Sequence, residues 1–230
     1  PGMLDDYASL AWGLTELFET GGGVHHLRTA ISLAQVMEQE FLDEATGGSF
    51  LTPAEGHGLP LRQKELLDGA MPAASSMAMF ALARLARFTG NRTFEERARA
   101  LAACAAAAAP QRPDAALAAL CALDILDAPQ RGRHAGLDVV IAGRRGEEAC
   151  EALRAAYGQA LAPDATLVFV DVARPEEAEE TGEVCPQARG KGLVDGLAAA
   201  HACRAGRHCE EPVTDPAALS ALLRGQGGAG

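Results

Sequence analysis

Apolar residues recur at helical spacing through the first half of the chain and gather into short continuous runs in the second. Over residues 3–20, Leu10, Leu14, Leu17 and Phe18 fall on one helical face, and over 24–42 Leu27, Ile31, Ala34 and Phe41 lie near one stripe. Gly21-Gly22-Gly23 separates these two segments. A turn at Ala45–Gly48, a short extended piece at Ser49–Thr52 and a Pro/Gly-rich loop over 53–61 come next. Three further helices are expected, from about Ala73 to Thr89, Thr93 to Ala109 and Asp114 to Leu126. Pro72 stands near the start of the first, where a missing N–H is harmless, and Gly90 is placed to stop it.

Beyond residue 134 the period changes. Leu137–Ala142 and Thr166–Val172 read as buried strands on either side of a helix over Glu147–Leu161. That is one βαβ unit, with parallel strands and a right-handed crossover. Residues 173–192 read as a charged loop, and Leu197–Arg204 as an extended segment with His201 and Cys203 at alternate positions. Asp215–Leu223 reads as a closing helix with Pro216 in its first turn, followed by a loose Gly-rich end. The expected fold is mainly α. It has helices over 1–133, a βαβ unit over 134–175, and a C-terminal extension over 176–230 carrying a Cys pair and the closing helix. Successive helix hairpins fit an α/α toroid or a bundle, and the pattern alone does not choose between them.

Composition narrows the function classes. The chain has 230 residues, 48% of them hydrophobic, and needs neither a disulfide nor a metal to hold a core. Aromatics are only 4% and alanine is abundant, which favours close helix-on-helix packing. A net charge of −11 repels phosphate backbones and anionic lipid, so neither nucleic acid nor a membrane surface is an expected partner. No apolar run is long enough to span a bilayer. The N-terminus, PGMLDDYASL, lacks the basic start and apolar run of a signal peptide and reads as a helix already under way inside a longer protein. A cytoplasmic location with reduced thiols is expected, with Cys104, Cys121 and Cys150 as small buried hydrophobes.

An ordered set of short motifs carries a resemblance. Asp6-Tyr7-Ala8, Phe41-Leu42-Asp43-Glu44 with Gly47-Gly48, Arg62 with Lys64-Glu65 and Asp68-Gly69-Ala70, and Leu85-Ala86-Arg87 with Thr89-Gly90 resemble the C-terminal region of the YyaL family, which includes spermatogenesis-associated protein 20. The βαβ unit and the ending Cys203…Cys209 with Glu211-Pro212-Val213-Thr214-Asp215-Pro216 continue it. The resemblance implies the latter part of an (α/α)6 toroid of the six-hairpin glycosidase or epimerase type. In full-length members this follows a thioredoxin-like domain. The family pattern after Asp-Gly-Ala is Thr/Met-Pro-Ser-Gly-Asn-Ser. This chain has Met71-Pro72-Ala73-Ala74-Ser75-Ser76 and so loses a hydroxyl and an amide there.

The polar stretch Leu61 to Ser76 is therefore the first place to look for chemistry. Arg62, Glu65 and Asp68 recur every three residues, a spacing that would set them along one side if the stretch were a helical turn. Carboxylates in a toroid funnel can act as general acid and base, and an arginine can hold a sugar hydroxyl or carboxylate. Sugar chemistry commonly uses two carboxylates. Asp6, Glu65 and Asp68 are the catalytic candidates, with Tyr7 and Arg62 as substrate-binding candidates. The plainer alternative is that these groups form ion pairs fixing the loop to the helix below. The partners implied are a sugar-like small molecule, a thioredoxin-like domain or the rest of the toroid. The alternative function is a non-catalytic scaffold or interaction module.

No cofactor or metal is implied. Cys203 and Cys209 are a candidate redox pair; they lack the C-x2-C spacing of zinc ligands, and unpaired thiols remain an alternative. Ala142-Gly143-Arg144-Arg145-Gly146 joins strand to helix, where an anion can bind. Glu147 and Glu148 already serve that helix start, so a plain turn is favoured over nucleotide binding. Asp43-Glu44 reads as a solvated helix end.

Overall fold

A computed structural model describes residues 2–55, 58, 60–130, 136–204 and 208–225. The expected boundary at 133/134 and the Gly-rich end lie outside the described residues. The chain is mainly helical, with a small β/α portion after the helices. It divides into two compact units. One comprises residues through Leu17, His25–Ala86 and Asn91–Leu126; the other comprises Phe18–Val24, Arg87–Gly90 and everything from Asp127 onward.

The first unit is built from α1 (Leu4–Glu19), α2 (Val24–Phe41), α3 (Ala74–Thr89), α4 (Arg92–Ala108) and α5 (Leu117–Asp127), of which α1, α3 and α5 run on into the second. Helix α3 is buried on nearly every side from Ala74 to Leu85, as expected of a helix that is apolar all round and central to its unit. Its neighbours bury narrower stripes. In α4 the stripe is Phe94, Ala98, Leu101 and Ala105, and Asn91 caps the helix by accepting from the Thr93 amide at 2.9 Å.

The α1 stripe differs from the expectation. Leu4, Ala8, Ala11, Thr15 and Phe18 are buried, while Leu10 and Leu17 are 54% and 49% exposed. Alanine allows helix axes to approach closely, so the small-residue face turns inward and the leucines turn outward. In α2, Leu27, Ala34 and Phe41 are buried as the spacing predicts. The expected helix over 114–126 starts later, at Leu117, after a 3-10 turn over Pro113–Ala115.

The second unit holds β1 (Leu137–Gly143), α6 (Glu148–Gln159), β2 (Thr166–Asp171), α7 (Pro175–Val184), β3 (Ala199–Arg204), β4 (His208–Cys209) and α8 (Pro216–Leu223). The sheet order is β2-β1-β3-β4. β1 pairs parallel with β2 and antiparallel with β3, so the βαβ strands are parallel as expected and the extended segment at 199–204 joins their sheet. All of β1, an apolar central strand, is buried, and so is all of β2 at the sheet edge. Leu137, Val139, Ile141, Leu167 and Phe169 pack with Cys150 and Leu153 of α6 and with Leu219 and Leu223 of α8. Gly143 is required for this packing, because a Cβ there would lie 2.8 Å from the Cys150 sulfur.

The charged segment 173–192 is not the loop its composition suggests. Pro175 opens α7 at a position where no N–H is needed, and Glu176 and Glu177 sit in the first turn, where the helix dipole favours them. A 3-10 turn over Pro186–Ala188 follows.

Candidate functional site

The polar segment folds back along the end of α2. Phe41 and Leu42 lead into a tight reversal in which the Asp43 amide donates to Gly48 O and the Phe50 amide to Phe41 O, both at 2.8 Å. Asp43 organises the reversal. Its carboxylate accepts from the Ala45 amide at 3.0 Å and the Thr46 hydroxyl at 2.7 Å. Gly47, at φ +71°, closes it, and a Cβ there would stand 3.1 Å from Ala100. The Lys64 ammonium pairs with Asp43 and donates to the Thr46 hydroxyl at 2.6 Å. The hydrogen bond from Lys64 to Asp43, followed by the one from the Thr46 hydroxyl, lowers the Asp43 pKa from 3.8 to about 2. Asp43 is thus the centre of a clamp and not a solvated helix end. The spacing that reveals it is Asp-x-x-Thr-Gly-Gly, an Asx-turn signature.

Arg62 serves backbone. Its guanidinium donates to Thr52 O and to Glu40 O, the latter at 2.7 Å, and lies over the Phe50 ring with 4.1 Å to the centroid. The Leu51 amide donates to Gln63 O at 2.7 Å, and the Leu4 amide at the head of α1 donates to Leu51 O at 3.0 Å. The starts of α1 and of the 62–68 segment are therefore laced to the same piece of chain.

Glu65 and Asp68 converge on the start of α3. Glu65 Oε2 accepts from the Ala74 amide at 3.1 Å, and the Ser75 hydroxyl donates to the Glu65 carbonyl. Asp68 Oδ1 accepts from the Ala73 amide at 2.9 Å, and its Oδ2 accepts from the Ala118 amide in the first turn of α5, also at 2.9 Å. One carboxylate therefore caps two helices, and two acids face the positive end of the α3 dipole. The departures Ala73 and Ala74 sit at this junction, fully buried.

Asp6 and Tyr7 are placed separately. Asp6 is the third residue of α1, and its Oδ2 accepts from the Met3 amide at 2.8 Å, the reciprocal half of a capping box. Tyr7 packs on Phe41 with ring centroids 5.4 Å apart. Two hydroxyls, Thr52 Oγ1 and Ser76 Oγ, are buried and have no hydrogen-bond partner among the described residues.

Within the second unit several charged groups are buried and paired. Asp138 Oδ1 accepts from Arg87 Nη2 at 2.5 Å and from the Thr166 hydroxyl at 2.7 Å, while Arg87 also donates to Leu137 O and Asp164 O. Glu19 accepts from the Tyr157 hydroxyl at 2.9 Å and from the Leu167 amide at 2.7 Å, sealing the outer edge of β2. Arg145 and Arg154 flank the Phe169 ring and donate to the carbonyls of Gly21 and Thr20. The Gly146 amide in the βα turn donates to Glu151. Arg145 and the turn's glycine amide are thus bound within the chain, as in a plain βα turn.

Cys203 and Cys209 stand directly opposite each other on β3 and β4 and form a disulfide. His201 Nε2 lies 2.9 Å from Gly192 O, and burial lowers its pKa. Cys185 is a free, buried thiol pushed upward by desolvation, and burial raises Cys150 to about 11. Among the described residues no three His, Cys, Asp or Glu side chains gather as a metal site. No described helix is long and apolar enough to cross a membrane.

No protein-family model matches the chain. It is 29% identical to human spermatogenesis-associated protein 20 over 223 residues, which is 96% of this chain and 27% of that protein. Mouse and rat proteins of the same name are 38% and 37% identical over 101 residues, 44% of this chain and 13% of each relative. The chain thus spans about a quarter of the length of the human relative. Over nearly its whole length the chain is similar to human spermatogenesis-associated protein 20, a member of the family its motifs resemble.

Proposed function

We propose that this chain is a non-catalytic scaffold within a longer protein, in which Arg62, Glu65 and Asp68 hold helix ends together. The observation that carries this reading is Asp68, whose two carboxylate oxygens accept the Ala73 and Ala118 amides. A general acid or base must aim at the proton it moves. These oxygens are aimed at helix starts, and Arg62 is aimed at two backbone carbonyls. Such a scaffold would present its surface to other parts of the longer protein, a thioredoxin-like domain or further toroid helices.

A second reading, a carbohydrate-binding cavity of the epimerase or glycosidase kind, draws on a different observation. Thr52 and Ser76 bury hydroxyls without protein partners, at a cost that a bound polar molecule would relieve. In that reading Asp6, Tyr7, Arg62, Glu65 and Asp68 border the ligand. A thermal-shift screen with sugars and sugar phosphates separates the two. The scaffold reading expects no saturable rise for the wild type, and a lower midpoint for Asp68→Ala whether or not sugar is present. A saturable rise that vanishes in Asp68→Ala would replace it with the carbohydrate reading.

A further inference from the structure

The sheet carries one group that the scaffold does not need. Cys203 and Cys209 are joined across the β3–β4 pair, but the two residues differ in exposure. Cys203 is on a strand buried from Ala199 to Cys203 and is itself 3% exposed, whereas Cys209 is exposed on an edge strand of two residues. The residue open to a thiolate from solution is therefore Cys209. Thiol–disulfide exchange requires the attacking sulfur to reach the sulfur it displaces, so access decides which cysteine is attacked.

The chain after Cys209 is fixed independently of the disulfide. The Glu210 amide donates to Ala202 O at 2.9 Å, Arg204 pairs with Glu210 at 3.5 Å, and Ala200 and Val213 exchange two backbone hydrogen bonds at 2.8 and 2.9 Å. Asp215 then caps α8 through the Ala218 amide, and Leu219 and Leu223 lie in the core. Opening the disulfide removes the covalent tie from β4 alone and leaves the remaining pairing and α8 in place.

We infer that Cys203–Cys209 is a directional thiol–disulfide exchange site, entered at Cys209 by thiolates of solution or of a dithiol partner. The attacking thiolate forms a new S–S bond to Cys209 Sγ. The Cys203–Cys209 bond breaks, and Cys203 Sγ leaves with the electron pair and takes a proton from water. With a dithiol, the second thiolate displaces Cys209 from the mixed disulfide. The dithiol is thereby oxidised to its disulfide, and the cysteine pair is reduced by two electrons. Removing the reductant in the presence of oxidised glutathione reverses the sequence through the same exposed sulfur.

The test uses the full chain, oxidised and folded, incubated with reduced glutathione, quenched in acid, its free thiols blocked with N-ethylmaleimide, and then digested with trypsin at neutral pH. Cleavage after Arg204 and Arg207 places Cys203 and Cys209 on separate peptides. The glutathione adduct is expected on the Cys209 peptide in roughly tenfold or greater excess over the Cys203 peptide. In a parallel arm, dithiothreitol is expected to reduce the pair completely while the helical circular dichroism and cooperative melting persist. Two results overturn the inference. One is glutathione found equally on both peptides or mainly on Cys203. The other is a disulfide that resists dithiothreitol until urea unfolds the protein, which would make it a structural staple.

Discussion

The two units put their most buried or best-connected polar residues to different chief uses. In the helical unit, Arg62, Glu65, Asp68 and Asp6 are directed at backbone groups of helix ends and reversals, and most of them keep one side toward solvent. In the α/β unit, Arg87, Asp138 and Glu19 are directed at side chains and strand edges inside the fold. The difference follows from architecture. Helices packed through alanine leave their unpaired terminal N–H and C=O groups as the chief polar problem. A sheet buried on both faces leaves its edge and its interior charges. A cap lost at the surface can be replaced by water, whereas a buried ion left alone cannot.

Removing Asp138 should therefore have the largest effect. Asp138→Ala strands the Arg87 guanidinium, whose side chain is only 7% exposed, and is expected to cost about 3–5 kcal/mol in urea unfolding. The chain's one tryptophan, Trp12, packs on Phe80 in the helical unit at 4.5 Å, so its fluorescence follows that unit. The loss should be seen by circular dichroism at lower urea than by Trp12 fluorescence. Coincident transitions would remove the distinction between the units.

Asp68→Ala should have a middle-sized effect. It removes one acceptor from each of two helix starts, at about 1 kcal/mol per cap, so about 2 kcal/mol, and here the Trp12 transition should move. Asp68→Asn keeps an oxygen for one of the two amides and should recover roughly half.

The smallest effect belongs to the Asp43–Lys64 clamp, which is partly open to solvent. Its folded pKa lies below its unfolded value, so its contribution is present above about pH 4 and is lost as pH falls toward about 2. Lys64→Met should flatten this part of the melting-temperature profile, and high salt should mute it in the wild type.

These contrasts also mark what the sequence could and could not convey. Strands β1 and β2 were legible because LDVVIA and TLVFVDV are continuous apolar runs, and α8 because Asp215-Pro216 is a strong start signal. The inward face of α1 was not, because hydrophobicity favours Leu10 and Leu17 while close packing selects Ala8 and Ala11. Helix α7 was hidden because acidic residues that suggest a loop also suit a helix start. The three-residue spacing of Arg62, Glu65 and Asp68 marked a segment whose polar groups the structure directs at backbone. Its meaning depended on the Ala73 and Ala118 amides, and Ala118 is fifty residues from Asp68. A partner at that separation is set by tertiary structure and leaves no local signature.

The central claim is that Asp68 holds two helix starts together. Amide hydrogen exchange at Ala73 and Ala118 tests it most directly, comparing wild type with Asp68→Ala. Exchange is expected to accelerate at both amides together, by about tenfold or more, while mid-helix amides of α3 and α4 keep their protection. Unchanged exchange at both amides in a folded Asp68→Ala protein would contradict the account and return Asp68 to the candidates for substrate chemistry.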